Sequence, residues 1–274
     1  MRTLYNAISL KDGWKVVYDE KMCPDGFLKF MEKTLYAHTK PDEWKMLRNF
    51  ANSLVWMFPF GDRHYIFKEY PGRIPLESLK AIFRRTRTER TWTAGHLLLN
   101  RGFLTPPMVL FGIKRCFGLP ARNFLVTEFI PHASGLYALL EQKKNIVSKE
   151  SFRLKRSIAQ KLGSTIGRLH REGIIHGDLR PNNILVEGWE KDEPKFYFID
   201  NERNSIHKNA PWKLIKKNLV QLNMIKLDSL SLSDRLRFFS TYINAFPEMK
   251  DKRKILAKEV WIRTKQRMAK CGGL

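Results

Sequence analysis

The apolar residues of this chain fall in short runs through its first half and in helical stripes through its second. Trp56-Met57-Phe58-Pro59-Phe60 and His64-Tyr65-Ile66-Phe67-Lys68, split by Gly61-Asp62, predict two strands around a tight turn. Residues 76–101 carry a helical pattern rich in arginine (Arg84, Arg85, Arg87, Arg90), which stops at Arg101-Gly102 before Thr105-Pro106-Pro107. A further strand is expected at Asn123–Ile130. Pro131 with Gly135 then marks a break.

The second half opens on a helix, because Ile158, Leu162, Ile166 and Leu169 make one apolar stripe and Gly173 sits where a C-terminal cap belongs. Asn183–Val186 and Phe196–Ile199 read as two short strands split by a polar loop. From Pro211 onward the pattern is helical, with Ile215, Leu219 and Leu222 on one stripe and Leu236, Phe239 and Ile243 on another. The last helix, near 252–270, is dense in Lys and Arg. The expected class is α+β. A smaller β-rich N-terminal lobe (1–130, an antiparallel sheet plus one helix) precedes a larger helical C-terminal lobe (131–274).

Composition adds one strong constraint. The 274 residues include 43% hydrophobic and 28% charged, as in ordinary globular proteins, but 50 Lys and Arg against 27 Asp and Glu leave +23. Such an excess calls for an anionic partner: nucleic acid, an acidic membrane surface or a polyanionic substrate. Cys23, Cys116 and Cys271 are far apart and odd in number, so they read as free thiols of a reducing compartment. The polar start after Met1 gives no secretory leader, and runs such as Leu54–Phe60 are too short to span a bilayer. The expectation is a cytosolic protein whose membrane contact is peripheral. The terminal Cys-Gly-Gly-Leu lacks the aliphatic pair of a prenylation box.

The candidate chemistry lies in His176-Gly177-Asp178-Leu179-Arg180-Pro181-Asn182-Asn183-Ile184-Leu185, followed fourteen residues after Val186 by Asp200, at the end of Phe196-Tyr197-Phe198-Ile199. A carboxylate that ends an apolar strand is rarely buried unless it binds something. Phosphoryl transfer accounts for the set, since it needs positioning and charge neutralisation more than covalent chemistry. Mg²⁺ takes oxygen ligands, which Asn183 and Asp200 can supply, and leaves Asp178 to receive the proton of an acceptor hydroxyl. The Asp-x4-Asn spacing is that of a kinase catalytic loop.

These residues resemble the catalytic loop of the protein-kinase-like superfamily, and Gly177 after the His is the form of its small-molecule members. Ile199-Asp200-Asn201-Glu202-Arg203 resembles the lipopolysaccharide-core kinases (Kdo/WaaP family). So do Trp92 to Gly102-Phe103-Leu104-Thr105-Pro106, Asn123–Ile130 and Asp234–Tyr242, over roughly residues 48–270. The resemblance implies a bilobal protein-kinase-like fold and an ATP- and Mg²⁺-dependent kinase acting on a Kdo or heptose hydroxyl of the lipopolysaccharide inner core. Such an enzyme would sit at the cytoplasmic face of the inner membrane. It implies that Lys68 holds the α/β-phosphates, that the backbone at Glu128 and Ile130 meets adenine, and that Glu89 is the candidate partner of Lys68. Arg203 and Arg180 are aimed at the substrate, and His176 braces the metal-binding loop.

The chain also departs from the pattern. No GxGxxG precedes Lys68; Asn52 and Ser53, within Arg48–Val55, are the candidates to donate to phosphate instead. Asn201 replaces the Phe of Asp-Phe-Gly, and no Ala-Pro-Glu segment offers a peptide dock. Three alternatives stay open: a soluble kinase of the aminoglycoside or choline type, whose acidic pockets the basic C-terminal region argues against, a protein kinase, which the missing dock disfavours, and a non-catalytic basic module. The resemblance favours an anionic saccharide and an anionic membrane surface, and nucleic acid is not expected.

Overall fold

The computed structural model describes residues 5–37, 40–50, 53–71, 85–116, 119–144, 148–191 and 193–270. Asn52, the first part of the expected 76–101 helix and the Cys-Gly-Gly-Leu end lie outside these residues. The chain divides into two compact units, one of residues 1–100 and 106–130, the other of 101–105 and 131–274. Residues 101–105, read from sequence as part of the N-terminal lobe, thus pack with the second unit.

The first unit is built on an antiparallel sheet of seven strands: β1 (Tyr5–Ser9), β2 (Trp14–Asp19), β3 (Lys45–Phe50), β4 (Ser53–Phe60), β5 (Arg63–Pro71), β6 (Met108–Cys116) and β7 (Leu119–Glu128), in the order β1-β2-β6-β7-β5-β4-β3. β4 and β5 form the expected hairpin, paired from Leu54↔Glu69 to Phe60↔Arg63. Two helices accompany the sheet among the described residues, where one was expected: α1 (Phe27–Tyr36) and α2 (Arg87–Asn100). The sequence reading passed over α1, whose Phe27, Met31 and Thr34 recur at helical spacing and are buried.

Each helix covers a hydrophobic cluster. Phe27 and Met31 join Trp14, Trp44, Phe58, Tyr65, Phe67 and Phe124. Trp44 stacks on Phe58 with ring centroids 4.2 Å apart, a contact of about 1 kcal/mol beyond its area. Trp92 of α2 joins Met108, Phe111, Ile113 and Leu125. Strand alternation therefore decides which helix a side chain faces.

The second unit contains β8 (Ser134–Gly135), α3 (Leu136–Gln142), α4 (Lys149–Arg171), β9 (Ile174–Ile175), β10 (Ile184–Glu187), β11 (Lys195–Phe198), β12 (Ser205–Ile206), α5 (Trp212–Leu222), α6 (Leu232–Ile243) and α7 (Arg253–Lys270). Ile158, Leu162, Ile166 and Leu169 of α4 are buried as the stripe predicts. Gly163 and Gly167, one turn apart, let α6 approach closely, since a Cβ at Gly163 would stand 2.3 Å from Phe238 O. Ser148 caps α4 by accepting from Ser151 N, and Ser231 caps α6 by accepting from Asp234 N. No helix among the described residues is long and apolar enough to cross a membrane.

Candidate active site

Two short ladders in the second unit set the geometry. β10 pairs antiparallel with β11, Ile184 opposite Phe198, and β9 pairs with β12, Ile175 opposite Ser205. The loop from His176 to Asn183 and the loop from Ile199 to Asn204 therefore leave the same end of the β10–β11 pair. Ile199 N donates to Asn183 O at 3.0 Å, which places Asp200 one residue beyond a direct backbone link to Asn183. Asp200 takes a left-handed conformation (φ 60°, ψ 42°) before the 3-10 turn Asn201–Arg203.

Asp178 and Asn183 meet directly. Asn183 Nδ2 donates to Asp178 O at 2.9 Å and to its Oδ2 at 3.3 Å. Oδ1 of Asp178 accepts from Gln221 Nε2 at 2.9 Å and pairs with Arg180 Nε at 2.9 Å. Arg180, expected to face substrate, is thus beside the carboxylate. Arg203 is exposed, and its nearest recorded partner is Glu202 at 3.7 Å.

His176 is buried and its tautomer follows from its partners. Nδ1 accepts from Asp178 N at 3.2 Å, so Nε2 carries the hydrogen donated to Ile199 O at 3.1 Å. Burial lowers its pKa, which keeps the ring neutral. The ring joins the two loops through backbone groups, the bracing role expected of it. Gly177 lies against Arg203: a Cβ there would stand 2.1 Å from Arg203 Cβ and 2.3 Å from Arg203 O. Asn201 is buried too, donating to Thr105 Oγ1 at 3.1 Å and to Phe198 O at 3.0 Å.

The remaining candidates belong to the first unit. Lys68 of β5 pairs with Leu125 of β7. Residues opposite one another share a face, and Leu125 belongs to the α2 cluster, so Lys68 projects on the side of the sheet that α2 covers. Its Nζ lies 5.4 Å from the Tyr70 ring centroid. Glu89 stands in the first turn of α2, where Oε2 accepts from Thr86 N at 2.6 Å and Thr86 Oγ1 at 2.9 Å, while Glu89 N donates to Thr86 Oγ1. This is a reciprocal helix cap, and the Thr-x-x-Glu spacing that announces it is legible in the sequence. Glu128 ends β7, its N–H donating to Pro107 O at 2.8 Å, and Ile130 closes the unit. Ser53 begins β4 opposite Phe50, so the segment that stands in place of a glycine-rich loop is the β3–β4 hairpin.

Sequence reasoning missed Gln221 and Asn218, which lie on α5 among Ile215, Leu219 and Leu222. Polar residues inside an apolar stripe were the available signal. It also missed an apolar cavity of about 140 Å³ in the second unit, lined by residues including Leu140, Leu162, Leu222, Phe239, Val260 and Trp261. Leu232 and Leu236 line it too and are exposed.

The described residues hold no group of three or more His, Cys, Asp or Glu able to cage a metal. A magnesium ion held by protein and substrate phosphates needs only one or two such side chains. Asn183 fits that demand, because Asp178 engages Nδ2 and Oδ1 is the oxygen left to ligate a cation, and Asp200 on the adjoining loop adds a carboxylate.

Against known proteins, the chain is 29% identical over 162 residues to the 3-deoxy-D-manno-octulosonic acid kinase of Vibrio parahaemolyticus, covering 58% of this chain and 61% of that one. It is 25% identical over 175 residues to the lipopolysaccharide core heptose(I) kinase WaaP of Pseudomonas aeruginosa, covering 62% and 65%. The KEOPS complex subunit Bud32 of Pyrococcus abyssi matches at 24% over 57% and 65%. The matches thus span less than two thirds of each of these relatives. Among solved structures, WaaP in complex with acyl carrier protein superposes with a TM-score of 0.61 at 23% identity, over 81% of this chain and 88% of that one, and the expected kinase-like α+β fold is present. The sequence pattern of the lipopolysaccharide kinase (Kdo/WaaP) family matches residues 43–242, which is most of the chain, and the protein belongs to that family.

Proposed function

We propose that this chain transfers the terminal phosphoryl group of ATP to a hydroxyl of Kdo or heptose in the lipopolysaccharide inner core. The observation that carries the reading is the joining of Asp178, Asn183 and the Asp200 loop at one end of the β10–β11 pair. Asp178 accepts or orients the acceptor's proton as the hydroxyl oxygen bonds to phosphorus and ADP leaves. Asn183 and Asp200 would hold Mg²⁺, which neutralises charge on the phosphate oxygens when bound. Lys68 would hold the nucleotide phosphates, and the backbone at Glu128 and Ile130 would meet adenine. With the Glu128 N–H given to Pro107, its carbonyl is the group left for that contact.

A membrane-borne acceptor suits the charge. α7 carries Arg253, Lys254, Lys258, Arg263, Lys265, Arg267 and Lys270 against Glu259, with Ile255 and Ile262 exposed two turns apart. That face fits peripheral attachment to the anionic cytoplasmic surface of the inner membrane.

The test is phosphoryl transfer to Kdo-bearing lipid A and to heptosylated core, read as a gain of about 80 Da, one phosphate. Asp178→Ala should lower transfer about a thousandfold and leave ATP binding intact. Near-wild-type turnover in that variant would overturn the mechanism.

A second reading concerns a partner. The apolar cavity, with Leu232 and Leu236 exposed at its wall, suits an acyl chain, and the solved WaaP is complexed with acyl carrier protein. We infer that the cavity takes an acyl chain presented by such a carrier.

A further inference from the structure

The carboxylate of Asp178 is gripped on its Oδ1 side by Gln221 and Arg180 and on Oδ2 by the longer contact from Asn183. The two donors to Oδ1 differ in kind. Arg180 is half exposed, whereas Gln221 is 3% exposed on α5.

The orientation of Gln221 is set from behind. Its amide can donate to Asp178 only with Oε1 turned away, and Asn218 Nδ2 donates to that Oε1 at 3.2 Å. Asn218 Nδ2 also donates to His176 O at 2.6 Å, which turns Asn218 Oδ1 toward His170 Nε2 at 3.1 Å. His170 Nδ1 in turn meets the Tyr242 hydroxyl at 3.0 Å. With Nε2–H committed to Asn218, Nδ1 of the neutral ring accepts from Tyr242. A single run of hydrogen bonds of one polarity thus passes from Tyr242 on α6, through His170 on α4, to Asn218 and Gln221 on α5, and ends on Asp178. All four side chains behind Asp178 are buried. Buried polar groups persist when each is satisfied, and such a set then holds one arrangement.

We propose that Gln221 is a positioning residue for Asp178, holding Oδ1 so that Oδ2 faces the acceptor hydroxyl. The inference rests on the phosphotransfer reading above. It makes Gln221 act through Asp178 and not on ATP.

The experiment uses the full chain, Kdo-bearing lipid A or heptosylated core as acceptor, and two variants. Gln221→Met keeps length and removes the donor; Gln221→Leu also removes it without adding a charge beside Asp178. Each should lower kcat about tenfold to a hundredfold with KM for ATP within about twofold. In the Asp178→Ala background, where single-turnover transfer is followed over hours with enzyme in excess, the same changes should cost less than about twofold, because nothing remains to position. Unchanged kcat in a folded variant, or an equal loss in both backgrounds, overturns the inference. Should Gln221→Met fail to fold, Gln221→Leu decides. Absence of transfer by the wild type to either acceptor removes the phosphotransfer reading itself, and the inference with it.

Discussion

Asn201 Nδ2 donates to Thr105 Oγ1 at 3.1 Å, and Thr105 Oγ1 donates to Phe198 O at 2.8 Å, all three groups buried. The link fastens the 101–105 segment to the turn that carries Asp200. Thr105→Val keeps the shape and removes the hydroxyl, leaving a buried amide short of a partner. The expected loss is about 1–3 kcal/mol, read from the urea midpoint at constant m. An unchanged midpoint would deny the link any stabilising role.

Gly177→Ala pushes a methyl group into the Arg203 backbone. The loops of Asp178 and Asp200 must then separate. Transfer should fall at least about tenfold, with stability reduced by about 1–3 kcal/mol. Retained transfer would mean that the close approach at Gly177 has no bearing on the chemistry.

His170 is fully buried, and desolvation lowers its pKa to about 4 from an ordinary 6.5. The unfolded chain binds this proton between those values and the folded chain does not. Stability from this group is therefore complete above about pH 6.5 and declines as pH falls toward 4, by about 3 kcal/mol. His170→Gln should flatten unfolding free energy across that window, although the variant starts lower at pH 7. His176, shifted the same way, leaves a residual slope. An identical slope in variant and wild type would exclude His170 as its source.

Lys254 and Lys258 are exposed on α7. Replacing both with Ala should weaken binding to anionic vesicles by about 2 kcal/mol, roughly thirtyfold, and high salt should erase the difference. Salt-independent binding would point away from a charged surface.

Leu236 is 64% exposed where it lines the apolar cavity. Leu236→Asp should leave the melting temperature within a few degrees and weaken binding of a fluorescent fatty acyl probe about tenfold or more. Undiminished binding would place the acyl chain elsewhere.

The sequence made some of this visible and hid the rest for physical reasons. The β4–β5 hairpin and the α4 stripe were legible because both patterns are local and periodic. Asp178 and Asn183 were legible because five residues of loop hold them within hydrogen-bond reach. Gln221 lies forty-three residues from Asp178, and only the packing of α5 brings it there. Glu89 was singled out for its charge, and the Thr86-x-x-Glu89 spacing by which its Oε2 caps α2 went unread. The apolar cavity had no signal of its own, since its walls come from five separate helices whose residues each look like ordinary core.

The membership of residues 101–105 in the second unit has a consequence for how the protein can be made. The backbone crosses from one unit to the other after Asn100, after Thr105 and after Ile130, so neither unit is one uninterrupted length of polypeptide. A gene cut at residue 130 would yield a downstream fragment lacking Leu104, which bridges Tyr197 and accepts from Phe198 N. During synthesis, that short piece must wait for the later half to be translated before it can pack, and a split protein would regain its fold only if the upstream fragment returned the piece.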